Sequence, residues 1–128
     1  MTGPPLQPLE LSLDVSAVPA TPAGAGRYTV ELAAALLDRT DVDLTVVARR
    51  HDAARWERLD PTRPTVTAVA PGPRPLRLAW EQVGLPGVLR RAAVDVHHGP
   101  HYTMPERTPL PVVVTVHDCT FFDHPEWH

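Results

Sequence analysis

Segments with the pattern of β-strands alternate with segments with the pattern of α-helices along the chain, and this order limits the possible folds more than any other feature. Residues 9–15 have an apolar side chain at every second position, which predicts a strand. Residues 18–26 are rich in proline and glycine, and residues 27–38 then have the spacing of an amphipathic helix. The apolar face predicted for this helix consists of Tyr28, Leu32, Ala35 and Leu36. A strand, a glycine-rich loop and a helix in this order are typical of α/β folds.

The remaining segments continue the alternation. Further strands are predicted at residues 42–48, 65–70, 94–96 and 111–116. Helices are predicted at residues 49–59, 76–84 and 86–91, with Pro61 and Pro64 ending the first and a break at Pro86 and Gly87 separating the other two. Loops are predicted at residues 71–75 and 97–109. The last strand is apolar without alternation, which indicates burial on both faces of a parallel sheet.

These segments together predict one α/β, Rossmann-like domain with a mostly parallel sheet and flanking helices. We expect it to occupy residues 9–128, after a flexible leader at residues 1–8 in which prolines oppose regular structure. The last residues resemble the start of another helix, so we interpret the sequence as an incomplete domain.

Charge and composition exclude several classes of protein. The net charge is −3, which argues against a nucleic-acid partner. All 12 basic residues are arginine, so no lysine is present to act as a nucleophile or to bind phosphate in a P-loop. The single cysteine, Cys119, cannot form an internal disulfide. No apolar run has the length of a membrane span and the first residues lack the pattern of a secretory signal, so we expect a cytoplasmic protein.

The glycines of the first loop are candidates for binding phosphate. Gly24 and Gly26 lie just before the first helix, where free N–H groups and the helix dipole favour an anion. A tight turn is the alternative interpretation. Position 29 is Thr, so the third glycine of the dinucleotide fingerprint is missing, which disfavours a dinucleotide-dependent oxidoreductase.

Histidines are concentrated near the end of the chain. Six of the seven lie in the last 32 residues, which raises a metal-binding hypothesis. The spacing argues against it, because Gly99 and Pro100 interrupt the pair His97 and His101, and we expect no metal ion. His117 directly follows the strand at residues 111–116, where ligands of α/β sheets bind, although a structural histidine is the alternative.

Four other polar residues are weaker candidates. Asp118 can orient the imidazole of His117 or cap the following turn. Glu81 and Gln82 follow Trp80, whose spacing predicts a place in the core, so Glu81 is solvated or directed into a cleft. Tyr102 lines a ligand site or covers the edge of the sheet.

Four stretches in order resemble the N-terminal domain of glycosyltransferase family 4. They are Asp14–Leu37 with its GAGRY sequence, Leu78–Pro86 (LAWEQVGLP), Val94–Pro105 (VDVHHGPHYTMP) and Val112–Pro125 (VVVTVHDCTFFDHP). The resemblance implies a GT-B architecture, in which two Rossmann-like domains enclose the active site. It implies a retaining transferase that moves a hexosyl or mannosyl group, with GDP-mannose as a plausible donor, from a nucleotide-diphosphate sugar to a hydroxyl of a glycan or lipid-linked acceptor.

The resemblance also assigns roles to residues. Gly24 and Gly26 would lie near the donor phosphates, and His117 would be the catalytic residue beside the donor sugar. Asp118, Glu81 and Gln82 match family positions and would lie in the cleft or on the acceptor side, and Tyr102 is a further cleft candidate from its place in the loop. No metal or other cofactor is implied. A lipid-linked acceptor would bring the enzyme into peripheral contact with the inner face of the membrane.

The sequence departs from the family pattern because it contains neither the Glu-x₇-Glu motif nor the basic donor clamp of the C-terminal domain. We therefore expect an N-terminal fragment without the donor-binding domain, inactive alone. A non-enzymatic binding module or remnant of the fold is the alternative, and a histidine-rich metal-binding protein a weaker one. The oligomeric state stays open.

Overall fold

The structure is a computed structural model that describes residue 3, residues 6–63 and residues 65–127, with Phe121 described by its backbone alone. The described residues form one parallel sheet of five strands. The strands are β1 (Leu9–Asp14), β2 (Val42–Arg49), β3 (Val66–Ala70), β4 (Val96–Gly99) and β5 (Val112–Val114). Four residues of the predicted leader, the predicted helix end at Pro64, and His128 of the histidine group lie outside the described residues.

The strand order is β3-β2-β1-β4-β5, and each neighbouring pair is parallel. This is the order of the first five strands of a doubly wound Rossmann sheet, so the predicted fold class is confirmed. In the register, Leu11 lies opposite Leu44 of β2 and opposite Val96 of β4.

The helices cover both faces of the sheet. They are α1 (Ala25–Leu37), α2 (Ala53–Glu57), α3 (Arg74–Val83), α4 (Leu85–Arg91) and a short α5 (Thr120–Asp123). Leu11 and Leu13 of β1 belong to the same core cluster as Ala33 of α1. Leu85 and Leu89 of α4 pack instead with Val47 and Ala70 in a second cluster. Of the described helices, none is long and apolar enough to cross a membrane.

The predicted apolar face of α1 is partly wrong. Thr29 and Ala33 are the buried residues of this helix, whereas Tyr28 and Ala35 are exposed. Thr29 can be buried because its hydroxyl donates a hydrogen bond to the carbonyl of Ala25, one turn earlier. The side-chain spacing therefore identified the helix but placed its buried face about one residue away.

The boundaries of the later helices largely agree with the predictions. The segment at residues 49–59 forms a 3₁₀ turn and α2, with Trp56 buried. Two helices are present as predicted, but the break between α3 and α4 falls at Gly84, and Pro86 and Gly87 lie inside α4. α3 begins at Arg74, inside the predicted loop, because Pro75 suits the first turn of a helix, where no N–H donor is needed.

The two strands nearest the end of the chain differ from the predictions. β4 begins at Val96 and includes His97, His98 and Gly99, which were predicted to be loop. β5 has only three residues and lies at the edge of the described sheet, with Val113 half exposed, so the predicted burial on both faces is wrong.

The central strand β1 is buried on both faces, although polar and apolar residues alternate along it. Ser12 and Asp14 are as inaccessible as Leu13. Ser12 Oγ lies 3.1 Å from His97 Nδ1, and the Asp14 carboxylate accepts a hydrogen bond from the backbone N–H of Ser16. Polar partners within the protein therefore replace water on this face.

Candidate functional site

A crevice lies at the carboxyl edge of the sheet, between β1 and β4. These strands are neighbours although β2 and β3 separate them in sequence, so the order of the sheet reverses there. β1 ends at Asp14, and Pro100 and His101 directly follow β4. Open α/β sheets bind ligands at this point, which makes the residues around Asp14 and His101 the first candidates.

Two cavities in the described part of the chain border this crevice and share Ala17 and His101. The smaller has a volume of about 50 Å³ and is lined by Asp14, Gly26 and Pro100, among others. The larger has a volume of about 240 Å³ and is lined on its α3 side by Arg74, Arg77 and Glu81. Since His101 lines both cavities, its side chain lies between them.

The predicted glycine loop lies at the start of α1. Gly24 has a φ angle of +52°, which residues other than glycine rarely adopt. A Cβ added to Gly26 would lie 3.1 Å from Cδ of Pro19, so the loop packs closely at this residue. Among the described residues no side chain caps α1, but the N–H of Gly26 donates to the carbonyl of Ala23, so only the other N–H groups of the first turn are left for an anion.

His117 lies against the same edge of the sheet. Its Nε2 is 2.7 Å from the carbonyl oxygen of Pro100. Its ring makes edge contacts with Tyr28 in the first turn of α1 and with Tyr102, at centroid distances of 5.1 and 5.6 Å. Tyr102 itself has a φ of +71°, an uncommon conformation for a tyrosine. The structure therefore brings His117, Tyr102 and the start of α1 together.

Asp118 points into the turn that follows it. Its Oδ1 accepts hydrogen bonds from the backbone N–H and the hydroxyl of Thr120, at 3.2 and 2.9 Å. Of the two roles that the sequence left open, these bonds are those of a turn cap.

Gln82 and Glu81 hold the loop after β4 in place. The amide of Gln82 donates to the carbonyl of Met104 and accepts from the backbone N–H of Glu106. Glu81 Oε2 accepts a hydrogen bond from the hydroxyl of Thr103 at 3.0 Å. Glu81 is only 4% exposed, so of the two predicted positions for it, the solvated one is wrong.

A cluster of three ionisable side chains lies at the centre of the crevice, and we call it the Asp14–Glu81–His101 cluster. His101 Nε2 is 3.6 Å from Asp14 Oδ2 and 3.7 Å from Glu81 Oε2. Burial alone would lower the pKa of His101, but its contact with Glu81 and the charges of Asp14 and Glu81 outweigh burial, so this pKa is raised. A proton on this imidazole is therefore stabilised by the two buried carboxylates.

The other histidines occupy separate environments. His97 is buried beside Ser12 of β1, and its pKa is lowered chiefly by burial. The pKa of His98 is also lowered, by burial and by the charge of His101, and its Nε2 lies 2.7 Å from the hydroxyl of Thr115. His124 pairs with Glu126 near the end of the described chain. The histidines are close in sequence, but in the structure they do not form one group.

Sequence reasoning did not select Asp14 or His101 as site residues. Asp14 was only one of the positions that alternate with apolar residues in a predicted strand, and His101 belonged to a histidine pair whose spacing argued against a metal site. One signal was available, because Asp14 is the last charged residue before the glycine-rich segment and the carboxyl end of a strand is where ligands bind.

This fold and crevice define an α/β domain of the Rossmann type with a crevice at the switch point of its sheet, where folds of this type bind ligands. The chain belongs to Glycosyltransferase Family 4, whose family model matches residues 22–128. No curated protein and no solved structure matches the chain. The matched region contains α1 and every residue that lines the two cavities except Asp14, Ala17 and Val18.

Proposed function

We propose that this chain is the N-terminal, acceptor-side part of a retaining GT-B glycosyltransferase. The enzyme would move a hexosyl group, with mannosyl as the first choice, from a nucleotide-diphosphate sugar to a hydroxyl of a glycan or lipid-linked acceptor. Membership of Glycosyltransferase Family 4 supports sugar transfer as the class of reaction. The observation that supports the proposal is the ring contact of His117 with Tyr28 in the first turn of α1, because the first turn of a helix favours an anion such as the donor diphosphate.

The first turn of α1 suits the diphosphate of the donor. Negative charge develops on the diphosphate as the bond to the sugar breaks, and fixed N–H groups stabilise such charge without reorganisation. Gly24 and Gly26 allow the backbone to turn into the helix while no described side chain blocks its end. In this proposal, the main-chain amides around these glycines, and no metal ion, stabilise the leaving group.

His117 suits a role beside the donor sugar. The carbonyl of Pro100 can only accept a hydrogen bond, so Nε2 of His117 carries a proton and donates it. In the neutral ring, Nδ1 is then an acceptor, which can take a hydrogen bond from a sugar hydroxyl. The edge contacts with Tyr28 and Tyr102 hold the ring in orientation. We propose that His117 positions the donor sugar for attack by the acceptor.

The remaining candidates would shape the acceptor side of the cleft. Gln82 and Glu81 fix the loop that carries Tyr102 and Thr103, and Asp118 fixes the turn after His117. We propose a cytoplasmic enzyme, in peripheral contact with the inner face of the membrane if its acceptor is lipid-linked. The nucleotide itself would be bound by a donor domain, and residues 1–128 alone would be inactive.

The test uses the enzyme encoded by the complete reading frame, assayed with nucleotide-diphosphate sugars. His117→Ala should lower kcat at least tenfold, which corresponds to about 1.4 kcal/mol in the activation barrier. Asp41→Asn is the control, because Asp41 is exposed and lies at the opposite, amino-terminal edge of the sheet, and its kcat should be unchanged.

Three results would contradict the proposal. An unchanged kcat in His117→Ala would remove His117 from the reaction centre. A reading frame that stops after His128 would leave no donor domain and would favour the binding-module alternative. Sugar transfer by purified residues 1–128 would show that no further domain is needed.

A further inference from the structure

Two arginines of α3 border the larger cavity of the crevice, and neither forms an ion pair with another described residue. Arg74 and Arg77 both line the cavity of about 240 Å³. Among the described residues, their side chains make one hydrogen bond, which Arg77 Nη1 donates to the carbonyl oxygen of Gly72 at 3.0 Å. A guanidinium group has five N–H donors and stays protonated, so both charges and most of these donors are left for a ligand.

The two arginine charges repel one another, because Arg74 and Arg77 lie one turn apart on the same helix. The pKa of Arg77 is lowered, first by burial and then by the positive charges of Arg49 and Arg74. The carboxylates of the Asp14–Glu81–His101 cluster act on Arg77 in the opposite direction, but they are outweighed. A bound anion would relieve the repulsion between the two arginines.

A phosphate monoester matches this pair of charges better than a carboxylate does. At pH 7 it carries a charge of about −1.5 to −2 and has three strong acceptor oxygens. Each planar guanidinium group can bind such a group through two parallel hydrogen bonds. A carboxylate carries one negative charge and would balance only one of the two arginines.

Other residues of the same cavity suit hydroxyl groups. Glu81 and Thr103 also line it, and the Thr103 hydroxyl donates a hydrogen bond to Glu81 Oε2 at 3.0 Å. A carboxylate can accept several hydrogen bonds, so Glu81 can accept one from a ligand hydroxyl as well. The proposed donor site at the start of α1 borders the smaller cavity, which is lined by Gly26. A phosphate bound in the larger cavity would therefore belong to the acceptor and not to the donor.

We propose that Arg74 and Arg77 bind a phosphate monoester of the acceptor, so that the acceptor is a phosphorylated sugar or polyol, either free or as the headgroup of a lipid. This inference rests on the proposed sugar transfer, because it names the acceptor of that reaction. Binding of a phosphate monoester can be measured without donor and without turnover. Failure of this inference can therefore be distinguished from failure of the proposed function.

The test is a calorimetric titration of the protein encoded by the complete reading frame with glucose 6-phosphate and, separately, with glucose. The wild type should bind glucose 6-phosphate saturably and about tenfold or more tightly than glucose. Arg77→Gln should weaken this binding by about tenfold or more, and so should Arg74→Gln. Arg74 is exposed and its side chain makes no hydrogen bond to another described residue, so its replacement leaves the fold intact. Arg90→Gln is the matched control, because Arg90 is also exposed but lies at the end of α4, which leads to the amino-terminal end of β4.

Vesicles of phosphatidylcholine with and without phosphatidic acid, a lipid with a phosphate monoester, distinguish the two sources of the phosphate. Binding of glucose 6-phosphate that depends on Arg74 and Arg77 would support a soluble acceptor. Binding of the phosphatidic acid vesicles alone, with the same dependence, would support a lipid acceptor. Absence of both kinds of binding would overturn the proposal. Equal affinity of wild type, Arg74→Gln and Arg77→Gln, or a loss of affinity shared by Arg90→Gln, would overturn it as well.

Discussion

Replacement of Gly99 by alanine should destabilise the protein, although it adds only one methyl group. A Cβ at this position would lie 2.5 Å from the backbone carbonyl oxygen of Thr103, closer than any ordinary van der Waals contact. The obstacle is main chain, so no side-chain rotation relieves it, and the loop after β4 must move by roughly 1 Å. Overpacking of this kind costs about 1–3 kcal/mol. The free energy of unfolding of Gly99→Ala should fall by that amount.

The measurement is urea denaturation followed by tryptophan fluorescence, since Trp56 is buried. Gly87→Ala provides the control for the same chemical change. Its added Cβ would lie 3.6 Å from the nearest atom, in the side chain of Arg91, and Gly87 is inside α4, where alanine is favoured by up to about 1 kcal/mol. The two variants should therefore change stability in opposite directions. A Gly99→Ala protein within about 0.5 kcal/mol of wild type would refute the close approach of Thr103.

Three further changes test the core and its histidines. Trp56→Ala should lower the free energy of unfolding by about 3–5 kcal/mol, because Trp56 is 2% exposed; a loss below 1 kcal/mol in urea would show that it is not in the core. Ser12→Ala should cost about 1–3 kcal/mol by removing the partner of His97 Nδ1, and Ser12→Thr, which keeps a hydroxyl, should cost less if this bond matters. Because the pKa of His98 is lowered by burial and by the charge of His101, the unfolded chain takes up its proton first, below about pH 6.5. The difference in free energy of unfolding between wild type and His98→Gln should therefore be largest above pH 6.5 and decrease as the pH falls. A difference that does not depend on pH would contradict the lowered pKa.

The parts of the fold that local sequence patterns determine were predicted well. The alternation in residues 9–15, the glycines before α1 and the break at Gly84 depend on the residues themselves and their immediate neighbours. The strand order could not be derived in this way, because it depends on which distant segments pair. The presence of two helices, α3 and α4, was correct for the same local reason, since Pro86 suits only the first turn of a new helix.

The errors occurred where a distant partner determines the structure of a polar residue. His97 and His98 were predicted to be loop, but Ser12 and Thr115 provide their hydrogen bonds and allow them to lie in β4. β5 was predicted to be buried because its sequence is apolar, but its position at the edge of the described sheet leaves Val113 half exposed.

The candidate site was predicted in part for the same reasons. Gly26, Glu81 and His117 do lie around the crevice, because glycine loops and strand ends can be recognised from local patterns. The meeting of Asp14 with His101 requires β1 and β4 to be neighbours, which depends on the whole topology. The roles of Gly26, Glu81 and His117 in sugar transfer stay predictions.

The burial of Ser12 and Asp14 in the central strand has a consequence for how the protein tolerates random mutation. On the face covered by α1, aliphatic side chains can replace one another with little loss as long as their total volume is kept. On the face covered by α3, each buried polar group depends on a particular partner. A single substitution there leaves another buried group without its partner, so two residues must change together. Libraries of variants should therefore accept many independent substitutions on the first face and few on the second.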